Sequence, residues 1–133
     1  MSAVVTPLPS VEPRRVGLKV MVRALKVEAS IGFYDHEHGR LQPLVVDVEL
    51  DLGAAPVERL ADTLDYDGVA RIVRELAAGP HIALIETFAE RAAVACLADP
   101  RVLSVVVRVE KPGAIPDAAA AACEVAYSRS VSY

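Results

Sequence analysis

Leu103-Ser104-Val105-Val106-Val107-Arg108-Val109-Glu110-Lys111-Pro112 frames the architecture of the whole chain. It is rich in β-branched residues and ends at a proline, the signature of a strand. Leu103, Val105, Val107 and Val109 recur at period two and share one face, and Lys111 is in phase with them. An ammonium after four apolar residues on one face has two readings. In one, the strand ends in solvent and the lysine stem covers apolar neighbours. In the other, the strand delivers an amine to a site.

The neighbouring segments supply partners for this strand. Residues 18–31 alternate as a strand: Leu18, Val20 and Val22 fall on one face, then Leu25, Val27, Ala29 and Ile31. The phase slips between Val22 and Leu25, which predicts a bulge. Residues 42–52 place Leu44, Val46, Val48, Leu50 and Leu52 opposite Asp47, Glu49 and Asp51. The polar connection 32–40, with Gly32 and Gly39, would join the two strands as an antiparallel hairpin. That connection holds Asp35, His36, Glu37 and His38, either as a solvated loop or as a loop presenting Glu37 to a ligand.

Two helices follow. A short helical turn fits near residues 57–60. Asp65 can cap a helix carrying Val69, Ile72, Val73 and Leu76 on one stripe, ended by Gly79-Pro80. A second helix, over residues 84–98, would bury Ile85, Phe88, Ala89, Ala92, Ala93, Cys96 and Leu97, its alanines allowing close approach to a sheet. After the 103–112 strand and a Pro/Gly turn, the last strand is expected from Cys123 to about Val131. The order is ββααββ, which predicts an α+β layer of four antiparallel strands with two helices on one face. Met21, Val45 and Val106 make the other face partly apolar, and two strand edges stay open. A homo-oligomer pairing sheets between subunits is expected.

The chain of 133 residues suits one domain. Residues 1–15 form a Pro/Ser/Val-rich, aperiodic lead-in, and a single domain is expected over residues 16–133. Hydrophobic content is 53 % with no tryptophan, so the core should be aliphatic. A net charge of -4 without a basic cluster argues against nucleic-acid binding. No segment has the length and apolarity of a membrane span. Pro7, Pro9, Pro13 and Arg14-Arg15 do not suit a signal peptide, so a cytoplasmic location is expected. Cys96 and Cys123 lack metal-ligand spacing and read as reduced core thiols. His36 and His38 could share a strand face, but neither a metal nor a cofactor is expected.

Four chemically capable residues stand at element ends: Glu37, Tyr66, Glu86 and Lys111. Each has a plain alternative. Glu86 suits a first helical turn, although Glu90 four residues on is an unfavourable like-charge neighbour. Tyr66 could be a packing residue.

Four runs, in order, resemble the signatures of the dihydroneopterin aldolase family. They are Ile31-Gly32-Phe33-Tyr34-Asp35-His36-Glu37-His38-Gly39-Arg40-Leu41-Gln42, Asp62-Thr63-Leu64-Asp65-Tyr66, Leu84-Ile85-Glu86-Thr87-Phe88-Ala89-Glu90-Arg91 and Val109-Glu110-Lys111-Pro112-Gly113-Ala114-Ile115-Pro116. The resemblance spans almost all of residues 18–130. It implies the tunnelling fold, a homo-tetramer or homo-octamer with active sites between subunits, and retro-aldol cleavage of 7,8-dihydroneopterin. It also implies the roles. Glu86 would anchor the pterin, whose 2-amino and N3–H donors match two carboxylate oxygens, with Leu84 and Ile85 beside it. Tyr66 of a neighbouring subunit would contact the ring and assist proton transfer. Glu37 would place the substrate side chain and water. Lys111 would be the general base or acid, with burial against aliphatic groups favouring its neutral form.

The chain departs from the pattern at Ser30-Ile31, where many members carry a histidine before the glycine, at Ala83, and after Ile115. Alternatives within the resemblance are a dihydroneopterin triphosphate 2'-epimerase, a non-catalytic pterin-binding oligomer, and a non-enzymatic scaffold of the same fold. For a triphosphate, the region around Glu37 offers Arg40 and little other positive charge.

Overall fold

The computed structural model describes residue 8 and residues 10–57 and 63–130. The strands are β1 (Lys19–Ala29), β2 (Gln42–Asp51), β3 (Ser104–Pro112) and β4 (Ala120–Ser128); the helices are α1 (Tyr66–Ala77) and α2 (Ile85–Cys96). One antiparallel sheet in the order β1-β2-β3-β4 is built entirely from neighbour pairings. This is the ββααββ subunit of the tunnelling fold. The alternating residues account for it: Leu44, Val46, Val48 and Leu50 of β2 and Val105, Val107 and Val109 of β3 are buried under the helices. Fully burying such a side chain stabilises by roughly 1.5–3 kcal/mol.

The predicted slip in β1 falls between Val22 and Leu25. Ala24 takes φ 54° there, and its N–H donates to Asp47 Oδ1 at 2.7 Å. The helix starts follow from local chemistry. Asp65 accepts from the Asp67 N–H at 3.0 Å and caps α1. Ala89, Ala92 and Ala93 let α2 lie close on β3 and β4, while α1 covers β1. Past α2, the Arg129 guanidinium donates to the carbonyls of Leu97, Asp99 and Val102 and ties the helix end to β4.

Several expectations shift. Strand β4 begins at Ala120 rather than Cys123, because Ala120 and Ala121 pair with Pro112 and Lys111 of β3; it runs to Ser128, and the expected end near Val131 lies outside the described residues. Sheet pairing recruits an alanine run that composition alone does not mark as strand. Leu103 is 49 % exposed, and Val102 takes the buried place beside β3. Ile31 lies beyond β1, in an isolated parallel bridge to Ile82. Cys96 is buried and Cys123 half-buried, both unpaired; burial pushes the Cys96 thiol up to about 11. The helical turn expected near residues 57–60 lies largely outside the described residues, as do Met1 and its neighbours to residue 7. Among the described residues, no helix is long and apolar enough to cross a membrane.

Candidate active site

The site is assembled where the chain leaves β1. The Gly32 N–H donates to Ile82 O at 3.0 Å, and the Ile82 N–H donates to Ser30 O at 3.1 Å. The strap before α2 is thereby laid along the loop after β1. Gly32 adopts φ 137°, and a Cβ there would overlap the Glu37 carboxyl group. A single 3-10 turn, Asp35–Glu37, then folds Glu37 back over Gly32. The loop therefore turns its carboxylate inward rather than out to solvent. His36 and His38 do not share a strand face: His36 stacks on Tyr34, and His38 stacks on His81. Among the described residues, no group of three or more His, Cys, Asp or Glu side chains could hold a metal ion.

Glu37 is 6 % exposed and is the one buried charged residue among those described. Its Oε2 accepts from Gln42 Nε2 at 2.9 Å and from the Lys111 ammonium. Its Oε1 faces the Tyr34 N–H at 3.4 Å. Gln42 is itself fixed, donating to Ile31 O at 2.6 Å. The Gln42 hydrogen bond, with that of Lys111, holds the Glu37 carboxyl down to about 2 against the opposing effect of burial. Lys111, whose side chain is 15 % exposed, thus ends on a carboxylate and not among aliphatic groups alone. A buried ion pair of this kind carries a desolvation cost, which makes it a poor choice for stability and a reasonable one for chemistry.

His81 closes the back of the loop. Its Nε2 lies 2.7 Å from Gly32 O and its Nδ1 2.6 Å from Ser30 Oγ. A carbonyl only accepts, so Nε2 carries the hydrogen; in the neutral ring Nδ1 then accepts from the Ser30 hydroxyl.

Glu86 is exposed in the first turn of α2, after Leu84, which caps the helix without a side-chain hydrogen bond and is 44 % exposed. The first N–H groups of α2 stand beside that carboxylate. Ile85 is half-buried and packs on the core. Burial, and then the Glu86 charge, raise the Cys123 thiol. Cys123 pairs with Val109, two residues before Lys111, so Glu86 and Lys111 belong to one end of the sheet. Tyr66 does not. It is 62 % exposed and shares a cleft with Lys19 and Val20 at the other end of β1. Lys19 pairs with Asp51 and Asp51 with Ser104, so Tyr66 and Lys111 are separated along the strands by roughly 20–25 Å. One chain brings together Glu37 and Lys111, with Glu86 toward the same end, and leaves Tyr66 apart.

Gln42 and His81 carried no role in the sequence reading. Gln42 had a signal: it is in phase with Leu44, Val46 and Val48, a polar residue opening a buried face as Lys111 closes one. His81 had none, because its partners lie about fifty residues away.

The dihydroneopterin aldolase family model (FolB) matches residues 20–127. The dihydroneopterin aldolase of Escherichia coli K12 is 36 % identical over 103 residues, 75 % of this chain and 84 % of that protein. Two solved structures superpose with a TM-score of 0.74. One is E. coli dihydroneopterin aldolase in complex with neopterin, at 32 % identity, covering 83 % of this chain and 98 % of that one. The other is a Burkholderia dihydroneopterin aldolase bound to guanine, at 31 % identity, covering 86 % and 93 %. With matching sequence over most of its length and matching tunnelling-fold topology, this chain belongs to the dihydroneopterin aldolase family.

Proposed function

We propose that the protein cleaves 7,8-dihydroneopterin by a retro-aldol reaction, giving 6-hydroxymethyl-7,8-dihydropterin and glycolaldehyde for folate biosynthesis. The observation that carries this reading is the buried Glu37 carboxylate holding the Lys111 ammonium at the end of β3. Glu86 receives the 2-amino and N3–H donors of the pterin, with Leu84 and Ile85 against the ring. Once the Lys111 ammonium has released a proton to solvent, the neutral amine takes the proton of the 2'-hydroxyl, directly or through water. The C1'–C2' bond breaks, its electron pair moves into the ring C=N bond, and glycolaldehyde leaves. Proton return to C1' from the same group yields the hydroxymethyl product. The ring itself is the electron sink, so no lysine Schiff base is needed. Glu37 fixes the lysine and orders the water and the substrate side chain.

Tyr66 reaches the ring from a neighbouring subunit, because the two ends of the sheet keep it from its own Lys111. The open edges of β1 and β4 and the partly apolar outer face, where Met21 is 53 % exposed, support a ring of subunits, as a tetramer or as two rings in an octamer. A cytoplasmic location goes with this reading.

Incubation of the purified protein with 7,8-dihydroneopterin, with separation of the products, is the test. Stoichiometric glycolaldehyde and hydroxymethyl-dihydropterin are expected. A 2'-epimer as sole product would favour the epimerase, and no conversion would contradict both enzymatic readings.

A further inference from the structure

We propose that His81 is a positioning residue for the site: it fixes the turn that carries Glu37, and through Glu37 it fixes the reacting amine of Lys111. The observations are contacts on both sides of Glu37. Before it, the His81 ring bridges the Ser30 hydroxyl at 2.6 Å and the Gly32 carbonyl at 2.7 Å. After it, the His38 ring stacks on His81 with centroids 3.8 Å apart and planes 25° apart. One side chain therefore grips residues 30, 32 and 38, the two shoulders of the loop whose centre is the carboxylate.

Gly32 is the point where this grip acts. Its N–H is held by Ile82 O and its carbonyl by His81, so its peptide units cannot rotate without losing a bond on one side or the other. Glu37 rests in the space that a side chain on Gly32 would fill. Rotation of Gly32 would displace the floor under Glu37, and Lys111 ends on that same carboxylate. The hydrogen bonds of His81 go to Ser30 and Gly32 and not to Glu37 or Lys111, so its role is transmitted through Gly32. A displacement of about 1 Å at reacting groups is enough to slow chemistry roughly 100-fold.

The catalytic consequence rests on the retro-aldol reading, and the test separates the two. In the full-length protein carrying carboxyl-labelled glutamate, the Glu37 titration is followed by NMR in wild type, H81A and H81Q. Turnover of 7,8-dihydroneopterin and affinity for 6-hydroxymethyl-7,8-dihydropterin are measured on the same samples. In H81A the Glu37 titration should rise from about 2 toward the ordinary carboxylate range. Its kcat should fall about 10- to 100-fold while product affinity stays within about twofold. H81Q, which keeps an N–H for Gly32 O, should recover most of both effects. S30A, which removes the half-buried bond to Nδ1, should give a smaller rise in the same direction even if H81A fails to fold. An unchanged Glu37 titration in H81A or S30A, or an H81Q protein no better than H81A, overturns the proposal. A wild-type protein without turnover contradicts the retro-aldol reading alone, and the titration still decides the role of His81.

Discussion

Gln42, at the first position of β2, and Lys111, next to the last position of β3, donate to the same oxygen of Glu37. Two strands that do not share a turn thus converge on one anion. Gln42 also holds Ile31 O at 2.6 Å, so its amide joins the loop backbone to the carboxylate. Replacing Gln42 with leucine removes a hydrogen bond to a buried charge, worth about 1.5–3 kcal/mol. Chemical denaturation should show a loss of that size, and the Glu37 titration should move upward.

The Glu37 carboxyl titrates at about 2 in the folded protein against an ordinary 4.5. Its folded pKa is depressed, so its contribution is fully present above about pH 5 and is lost as the pH falls toward about 2. Unfolding free energy measured across that window should decline less steeply in E37Q than in wild type. Equal slopes would mean that Glu37 is not held as described. Glu37 is ionised throughout neutral conditions, so it contributes no titration to a rate profile there.

Gly32 combines a φ of 137° with contact against the Glu37 carboxyl. Alanine at this position should destabilise by about 1–3 kcal/mol. It should reduce turnover more than the folded fraction explains, because the intruding methyl displaces the carboxylate as well as straining the backbone. A Gly39→Ala protein, with a positive φ but open space at its Cβ, should lose stability alone.

Tyr66 and Lys111 stand at opposite ends of the sheet, so a shared site takes them from different chains. Y66A and K111A proteins, each impaired alone, should regain activity when co-assembled in one oligomer, since mixed sites receive an intact Tyr66 from one chain and an intact Lys111 from another. Mixed oligomers no more active than the parents would place both residues of each site in one chain.

Much of this was legible in the sequence where the chemistry is local. Period-two alternation gave β2 and β3, and the phase slip gave the bulge at Ala24. The phase of Lys111 marked it as a charge delivered to a buried face. The same signal in Gln42 says little by itself, because an amide opening a strand is an ordinary surface residue until a carboxylate is brought over it. The start of β4 at Ala120 depends on pairing with the end of β3, which alanine does not encode. The inward turn of Glu37 depends on Gly32 and on His81 from a distant strap, a relation set by tertiary contact and by no spacing along the chain. The proposed substrate rests on the resemblance of four short runs, since periodicity says nothing about a pterin.

The central claim is that Lys111, held by Glu37, moves the proton that breaks the C1'–C2' bond. The most direct measurement is the single-turnover rate of glycolaldehyde release from 7,8-dihydroneopterin by wild type and K111A, with hydroxymethyl-dihydropterin affinity measured alongside. K111A should lose about 100-fold or more in this rate, with product affinity nearly unchanged because the proposed pterin anchor Glu86 remains. A K111A protein that releases glycolaldehyde at close to the wild-type rate would contradict it.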